Sequence, residues 1–138
     1  MGNKISGHCH CGIVTFSVEL LNGFETIRRC DCSLCRMRGA VVVSAELSGI
    51  EVLTGRECLT EYRFNTKQAV HYFCSKCGIY TFHQRRSNPG QYGVNVACLE
   101  GISPFDFAQV QVMDGIHHPE DGGNGGVAGI LSYRPINS

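Results

Sequence analysis

Hydrophobic and polar residues alternate along several short stretches of the chain. The clearest case is the segment 13–20, where apolar side chains occupy every second position at Val14, Phe16, Val18 and Leu20. A period of two places successive side chains on opposite faces of a β-strand, so these apolar positions share one face. The pattern therefore predicts a strand with one buried face.

Several other segments are predicted to be strands, because they show this alternation or are rich in β-branched and apolar residues. They are 40–45, 50–53, 58–64, 69–73, 79–82, 92–99 and 130–133. Turns between strands are indicated by Asn22-Gly23, Ser48-Gly49 and Asn88-Pro89-Gly90. No segment has a sustained helical period. The predicted fold class is mainly β, with small antiparallel sheets in a single domain that spans 1–138 and has its core at about 5–134.

Seven of the nine cysteines fall into three short clusters. The clusters are Cys9 with Cys11, Cys30 with Cys32 and Cys35, and Cys74 with Cys77. Thiols at these spacings are typical of zinc sites. A structural zinc ion takes four protein ligands, whereas a reactive one commonly takes three and keeps its fourth position open. Seven cysteines divide into four and three, which predicts two zinc ions per chain.

The structural site is predicted to combine the first and last clusters. Cys74 and Cys77 can hold one ion from a tight turn, and Gly78 after them allows the backbone to reverse with a positive φ. Cys9 and Cys11 would supply two further ligands if the first strand lies beside the hairpin that carries the later pair. In an extended Cys-x-Cys segment both side chains point to the same face, so one ion can bind both.

The central cluster is predicted to be the reactive site. Cys30, Cys32 and Cys35 can reach one ion from a strand that turns sharply, and three thiolates leave one position for water or an incoming ligand. A sulfur-rich shell makes zinc a weak Lewis acid but a good holder of a substrate thiol as thiolate, which is the nucleophilic form.

An alternative interpretation makes the central cluster a second structural site with a fourth protein ligand. The candidates for that ligand are His8, His71, His117 and Asp31. Asp31 lies between the cysteines, but strand alternation would point its side chain away from them.

The remaining candidate residues receive simpler interpretations. Cys58 and Cys98 lie in apolar segments and are predicted to be small buried side chains. The pair at 117–118 is predicted to be a loop surface, because adjacent side chains diverge. Two pairs of arginines are interpreted as surface charge, although near an open zinc ion they would hold substrate carboxylates. These pairs are Arg36 with Arg38 and Arg85 with Arg86.

Composition limits the classes of partner. Lys+Arg and Asp+Glu number 12 each, so the formal charge is zero and the broad basic surface of a nucleic-acid-binding protein is not expected. No apolar run approaches the ~20 residues of a membrane span. The first residues contain no apolar stretch that could act as a secretory signal, so we expect a cytoplasmic protein with reduced cysteines.

Three blocks of the sequence resemble the glutathione-dependent formaldehyde-activating enzyme family, which includes centromere protein V. They are GHCHCGIV at 7–14, CDCSLC at 30–35 and FCSKCG at 73–78. Further similarity runs through SNP at 87–89, GVNVACL at 93–99 and DGIHHP at 114–119. The resemblance implies a β-tent fold with one structural and one exchangeable zinc ion. By the same resemblance Cys9, Cys11, Cys74 and Cys77 would hold the structural ion, and Cys30, Cys32 and Cys35 the reactive one.

The resemblance also implies an activity. The family is named for joining glutathione to formaldehyde to form S-hydroxymethylglutathione, which in reverse is the reaction of a carbon–sulfur lyase. The expected partners are glutathione or a related thiol and an aldehyde, together with a second copy of the chain in a homodimer. The chain looks shorter than the members named for the formaldehyde reaction. Two other functions remain open, a non-catalytic zinc module that binds a protein and a thiol-based metal or redox sensor.

Overall fold

The computed structural model describes residues 3–64, 69–86, 88–117, 123 and 125–136. Within this part of the chain, ten β-strands and one short α-helix are present. The strands are β1 Lys4–His8, β2 Thr15–Leu20, β3 Arg28–Cys30, β4 Val42–Thr54, β5 Leu59–Tyr62, β6 Val70–Cys74, β7 Tyr80–Gln84, β8 Gln91–Asn95, β9 Gln109–Met113 and β10 Val127–Ser132. The α-helix α1 is Ser33–Arg38, and 3₁₀ helices occupy Arg56–Cys58, Val96–Cys98 and Pro104–Asp106.

The strands belong to one connected sheet. Its main path runs in the order β10, β9, β3, β4, β8, β7, β6, β5, and the hairpin of β1 and β2 joins it through pairing of β2 with β4. The described pairings are antiparallel apart from that of β3 with β9, which is parallel. The predicted mainly-β class is therefore confirmed, although the strands form one sheet with one parallel pair where separate small antiparallel sheets were expected.

The longest strand, β4, has 13 residues where the sequence predicted two strands separated by Ser48-Gly49. Its first half pairs with β8 and its second half with β2. The register with β2 shifts between these halves, and a Cβ on Gly49 would lie 2.9 Å from the carbonyl oxygen of Glu19. The glycine therefore permits a close approach of two strands and does not end one.

The core lies on one face of the sheet. Phe16 and Val18 of β2 are fully buried, as the alternation predicted, and they pack with Val43 and Val94. The Phe16 ring meets the ring of Phe82 edge to face, with centroids 5.4 Å apart. This cluster connects the β1–β2 hairpin with the central strands.

Two predicted strands are shorter than expected. The segment 58–64 begins in a 3₁₀ helix before β5, and 92–99 becomes β8 followed by a second 3₁₀ helix. The helix α1 was not predicted, because its six residues are too few to show a helical period. Gly39 caps the C-terminal end of this helix. Its φ of 72° allows the Gly39 N–H to donate to the carbonyl of Cys35. No helix in the described residues is long and apolar enough to cross a membrane.

We predict that Phe16→Ala lowers the free energy of unfolding by about 3–5 kcal/mol, because it removes a fully buried ring and leaves a cavity. The control is Ile136→Ala at a side chain that is 94% exposed, where we expect a change within about 0.5 kcal/mol. Urea unfolding of both variants at a fixed metal concentration measures the difference. Equal losses of unfolding free energy in the two variants would contradict the placement of Phe16 in the core.

Candidate metal centres

Two groups of cysteine side chains meet in space. The first contains Cys9, Cys11, Cys74 and Cys77, and the second contains Cys30, Cys32 and Cys35. Within each group the sulfur atoms lie within 4.8 Å of one another. All seven cysteines of the predicted ligand sets are thus gathered at two points, in the combinations that spacing predicted.

The four-cysteine group forms where two turns meet. Cys74 ends β6 and Cys77 lies on the turn that leads to β7, and the N–H of Gly78 donates to the carbonyl of Cys74 at 2.7 Å. Gly78 has a φ of 78°, as predicted for this turn. Cys9 and Cys11 also lie on a turn, between β1 and β2, and not on the extended segment that the sequence suggested.

The sulfur geometry of this group fits a tetrahedral ion. Zinc–sulfur bonds of about 2.3 Å place tetrahedral sulfur atoms roughly 3.8 Å apart. The sulfur of Cys11 lies 3.6 Å from that of Cys9 and 3.8 Å from that of Cys74. Backbone N–H groups of Val14 and Lys76 donate to the sulfurs of Cys9 and Cys74. The donor set and its spacing are compatible with zinc.

The three-cysteine group is built at the junction of β3 and α1. Cys30 ends the strand, Cys32 caps the helix, and Cys35 lies one turn along the helix. The carboxylate of Asp31 accepts a hydrogen bond from the N–H of Gly115 at 2.7 Å and so joins this junction to the segment after β9.

Each sulfur of this group accepts a hydrogen bond from an N–H group. The N–H of Cys32 donates to the sulfur of Cys30, and the N–H of Cys35 to that of Cys32, both at 3.4 Å. The guanidinium of Arg38 donates to the sulfur of Cys35 at 3.6 Å. Such donors favour the thiolate form, which is the metal-binding form.

The three thiols do not ionise independently. Hydrogen bonds from Cys30 and then Cys35 lower the pKa of Cys32, whereas contacts with Cys30 and Cys32 raise the pKa of Cys35. Adjacent negative charges repel, so one thiolate makes the next harder to form. A cation between the sulfurs would remove this repulsion, which makes the group a candidate metal site.

None of the four residues considered as a further ligand joins this group in the described part of the chain. Asp31 bonds Gly115, and His117 is exposed and pairs with Asp114 at 2.9 Å. Nδ1 of His71 faces Arg38, and Nδ1 of His8 faces the carbonyl of Cys9. The position beside the three sulfurs is left without a His, Asp or Glu ligand among these residues.

A cavity of about 680 Å³ adjoins the three cysteines, and all three line it. Its wall carries five arginines, Arg28, Arg36, Arg38, Arg85 and Arg86. Asp31 and Asp114 also line it, so its charge is predominantly positive. The two arginine pairs that the sequence singled out are therefore placed at the three-cysteine group, and Arg28 is added to them.

Three side chains on the wall of this cavity, Arg38, His71 and His83, form a cluster with the buried Tyr80 that the sequence did not indicate. Arg38 lies over the ring of Tyr80, with Cζ 3.6 Å from the ring centroid. His71 stacks on His83 with centroids 4.9 Å apart, and Nδ1 of His83 is 2.5 Å from the Tyr80 hydroxyl. Burial, with the nearby positive charges, lowers the pKa of both histidines, so both are neutral at pH 7.

The two cysteines outside the metal-ligand groups and the histidine pair at 117–118 were also interpreted from the sequence. Cys58 and Cys98 are buried, as predicted. Cys58 packs beside Cys9 and Cys74 in a small second core. His117 is an exposed loop residue, whereas His118 lies outside the described residues.

One glycine contributes to the site in a way that its sequence context did not reveal. A Cβ on Gly115 would lie 2.4 Å from the sulfur of Cys30 and 2.8 Å from Cβ of Cys32. Only glycine therefore lets the segment after β9 lie against the three-cysteine group. In the sequence, this glycine was marked only by its position in the block 114–119, which resembles the family.

Comparison with known proteins identifies a matching protein family and a similar solved structure. The family model described as glutathione-dependent formaldehyde-activating enzyme matches residues 4–111 of the chain. The crystal structure of a Rhodobacter sphaeroides protein is similar over 78% of this chain and 99% of that one, with 58% sequence identity and a TM-score of 0.77. The family match covers both groups of cysteines.

We predict that Gly115→Ala weakens metal binding at the three-cysteine group by about 10–100-fold, because the new methyl group displaces Cys30. Binding at the four-cysteine group should not change. The control is Gly129→Ala, where a Cβ meets nothing within 4 Å. Competition with a chromophoric chelator measures both affinities. An unchanged affinity at the three-cysteine group in Gly115→Ala would contradict the placement of this glycine.

Proposed function

The chain belongs to the glutathione-dependent formaldehyde-activating enzyme family, and on that premise we propose that it is a zinc-dependent carbon–sulfur lyase or synthase. Its substrates are proposed to be adducts of glutathione, or a related thiol, with formaldehyde or another aldehyde. The observation that carries the proposal is a group of three cysteines on the wall of an arginine-rich cavity. We propose the cytoplasm as its location.

The two cysteine groups are assigned different roles. Cys9, Cys11, Cys74 and Cys77 would complete a closed site whose ion is structural. Cys30, Cys32 and Cys35 would hold the second ion with three ligands. When bound there, zinc supplies an open position at which a substrate sulfur is held as thiolate.

The overall reaction sets what the cavity must do. The thiol loses its proton, its sulfur forms a bond to the carbonyl carbon, and the C=O π bond breaks. The electron pair moves to oxygen, which then takes a proton to become the hydroxyl of the hydroxymethyl thioether. The cavity must therefore hold the thiol close to the aldehyde and stabilise negative charge on oxygen.

The arginines are proposed to bind the thiol substrate through its carboxylates. Glutathione carries two carboxylates and one ammonium group, so a positive cavity complements it. In the described residues, no ion pair joins Arg28, Arg36 or Arg38 to an acidic side chain. Burial, with the charge of Arg85, lowers the pKa of Arg28 to about 10, which indicates a cationic site that an anion would stabilise.

One observation favours the alternative of a non-catalytic zinc-stabilised interaction module. The edge strand β10 exposes apolar side chains, with Val127 52%, Ile130 58% and Leu131 46% exposed. Nearby, the exposed rings of Phe105 and Tyr133 pack together at 5.0 Å. An exposed apolar edge of this kind is typical of protein-binding surfaces.

We predict that Cys32→Ser abolishes acceleration of the exchange between glutathione and S-hydroxymethylglutathione. The fold should survive, because serine is a good N-cap for α1. Exchange NMR measures the rate above the spontaneous reaction. The control is Cys98→Ala, a buried cysteine outside both groups, which should retain activity. Full activity in Cys32→Ser would rule out the mechanism, and an inactive wild-type protein would favour the interaction module.

We predict that Arg36→Gln raises KM for glutathione about tenfold, because it removes a charge-assisted hydrogen bond to a carboxylate. The effect should be small with cysteamine, a thiol that has no carboxylate. Arg63→Gln is the matched control, since Arg63 pairs with Glu61 and does not line the cavity. Equal KM changes for both thiols would contradict carboxylate binding by Arg36.

A further inference from the structure

We propose that His71 is a catalytic residue whose neutral imidazole donates its Nε2–H to the substrate oxygen, with Arg38 as the positioning residue that fixes this tautomer. The inference rests on the proposed function and names the group that stabilises the charge formed in that reaction.

Arg38 is held by three contacts. Its guanidinium lies over the ring of Tyr80, with Cζ 3.6 Å from the centroid. One terminal nitrogen donates to the sulfur of Cys35 at 3.6 Å, and the other lies 3.0 Å from Nδ1 of His71. The guanidinium therefore connects the three-cysteine group directly to the imidazole of His71.

The contact with Arg38 determines the tautomer of His71. A guanidinium carries only hydrogen-bond donors and stays protonated. Nδ1 of His71 must therefore accept the hydrogen bond, and in a neutral ring the proton then lies on Nε2. Burial, with the charge of Arg38, lowers the pKa of His71 to about 4, so the ring is neutral at pH 7.

The Nε2–H donor is available to a substrate. His71 lines the same cavity as the three cysteines, and in the described residues its ring makes a hydrogen bond through Nδ1 alone. The ring plane is restricted by stacking on His83, at 4.9 Å between centroids, and by Phe64 at 5.8 Å. A Cβ on Gly93 would lie 2.4 Å from Cε1 of His83, so glycine leaves room for this pair.

A neutral donor suits the proposed reaction. As the carbon–sulfur bond forms, the electron pair of the C=O π bond moves to oxygen, and a fixed N–H donor stabilises that charge. The oxygen then takes its proton from water, so His71 remains neutral throughout. In the reverse direction the hydroxyl loses its proton to water, the carbon–sulfur bond breaks, and the same donor stabilises the oxyanion that precedes the carbonyl.

The tautomer can be tested without substrate. In ¹⁵N-labelled, zinc-loaded protein at pH 7, the imidazole of His71 should show a protonated Nε2 and an unprotonated Nδ1. Arg38→Met, which removes the guanidinium donor, should produce a mixture of tautomers. A protonated Nδ1 or a cationic ring in the wild-type protein would overturn the inference and leave the proposed function untouched.

The catalytic role is tested by two substitutions at one position. His71→Phe keeps a ring but removes the donor, and we expect kcat to fall about 10²–10³-fold with KM for glutathione and zinc content unchanged. His71→Gln keeps an N–H at the end of the side chain and should recover much of kcat. An unchanged kcat in His71→Phe, or equal losses in both variants, would overturn the donor role. An inactive wild-type protein would overturn the proposed function, and the catalytic role with it, while leaving the tautomer as measured.

Discussion

The structure depends on crowding of thiol groups at two points of the sheet. Four sulfur atoms from turns more than sixty residues apart lie within 4.8 Å of one another. Thiolates at this distance would repel one another, so a bound cation would stabilise the arrangement, and the free energy of metal binding would then contribute to the free energy of folding. The turn between β1 and β2 is thereby joined to the turn between β6 and β7. A small core of Cys9, Val14, Cys58 and Cys74 surrounds this junction.

The two candidate metal centres share the hairpin of β6 and β7. Cys74 ends its first strand and Cys77 lies on its turn, and its strands carry His71 and His83 on the wall of the cavity. Arg38 extends from α1 to this hairpin and contacts both Cys35 and His71. A metal ion bound by the four-cysteine group would therefore hold in place the hairpin whose strands line the cavity beside the three-cysteine group. In the proposed function, the structural ion would fix the β6–β7 hairpin and would thereby help to position the side chains around the reactive ion.

Sequence alone predicted the parts of the molecule that depend on local pattern. The alternation at 13–20 identified a buried face, and cysteine spacing identified both sulfur groups, because a ligand set needs particular residues at particular separations. The helix α1 was missed because six residues are too few to show a period. The contacts of Arg38 with His71 and Tyr80 were missed because they join α1 to distant strands. Gly115 was missed for the same reason, since its neighbour Cys30 lies far away in the sequence.

In the proposed function, an ion held by the three-cysteine group takes the substrate sulfur as its fourth ligand. Cadmium binds the same thiolates as zinc, and its ¹¹³Cd NMR shift depends on the number of sulfur ligands. We expect two resonances in the cadmium-loaded protein, one from four sulfurs and one from three. Glutathione should move only the second resonance into the four-sulfur range, and S-methylglutathione, which has no thiol, should not. If neither resonance moves at saturating glutathione, the substrate sulfur is not a fourth ligand at the three-cysteine group.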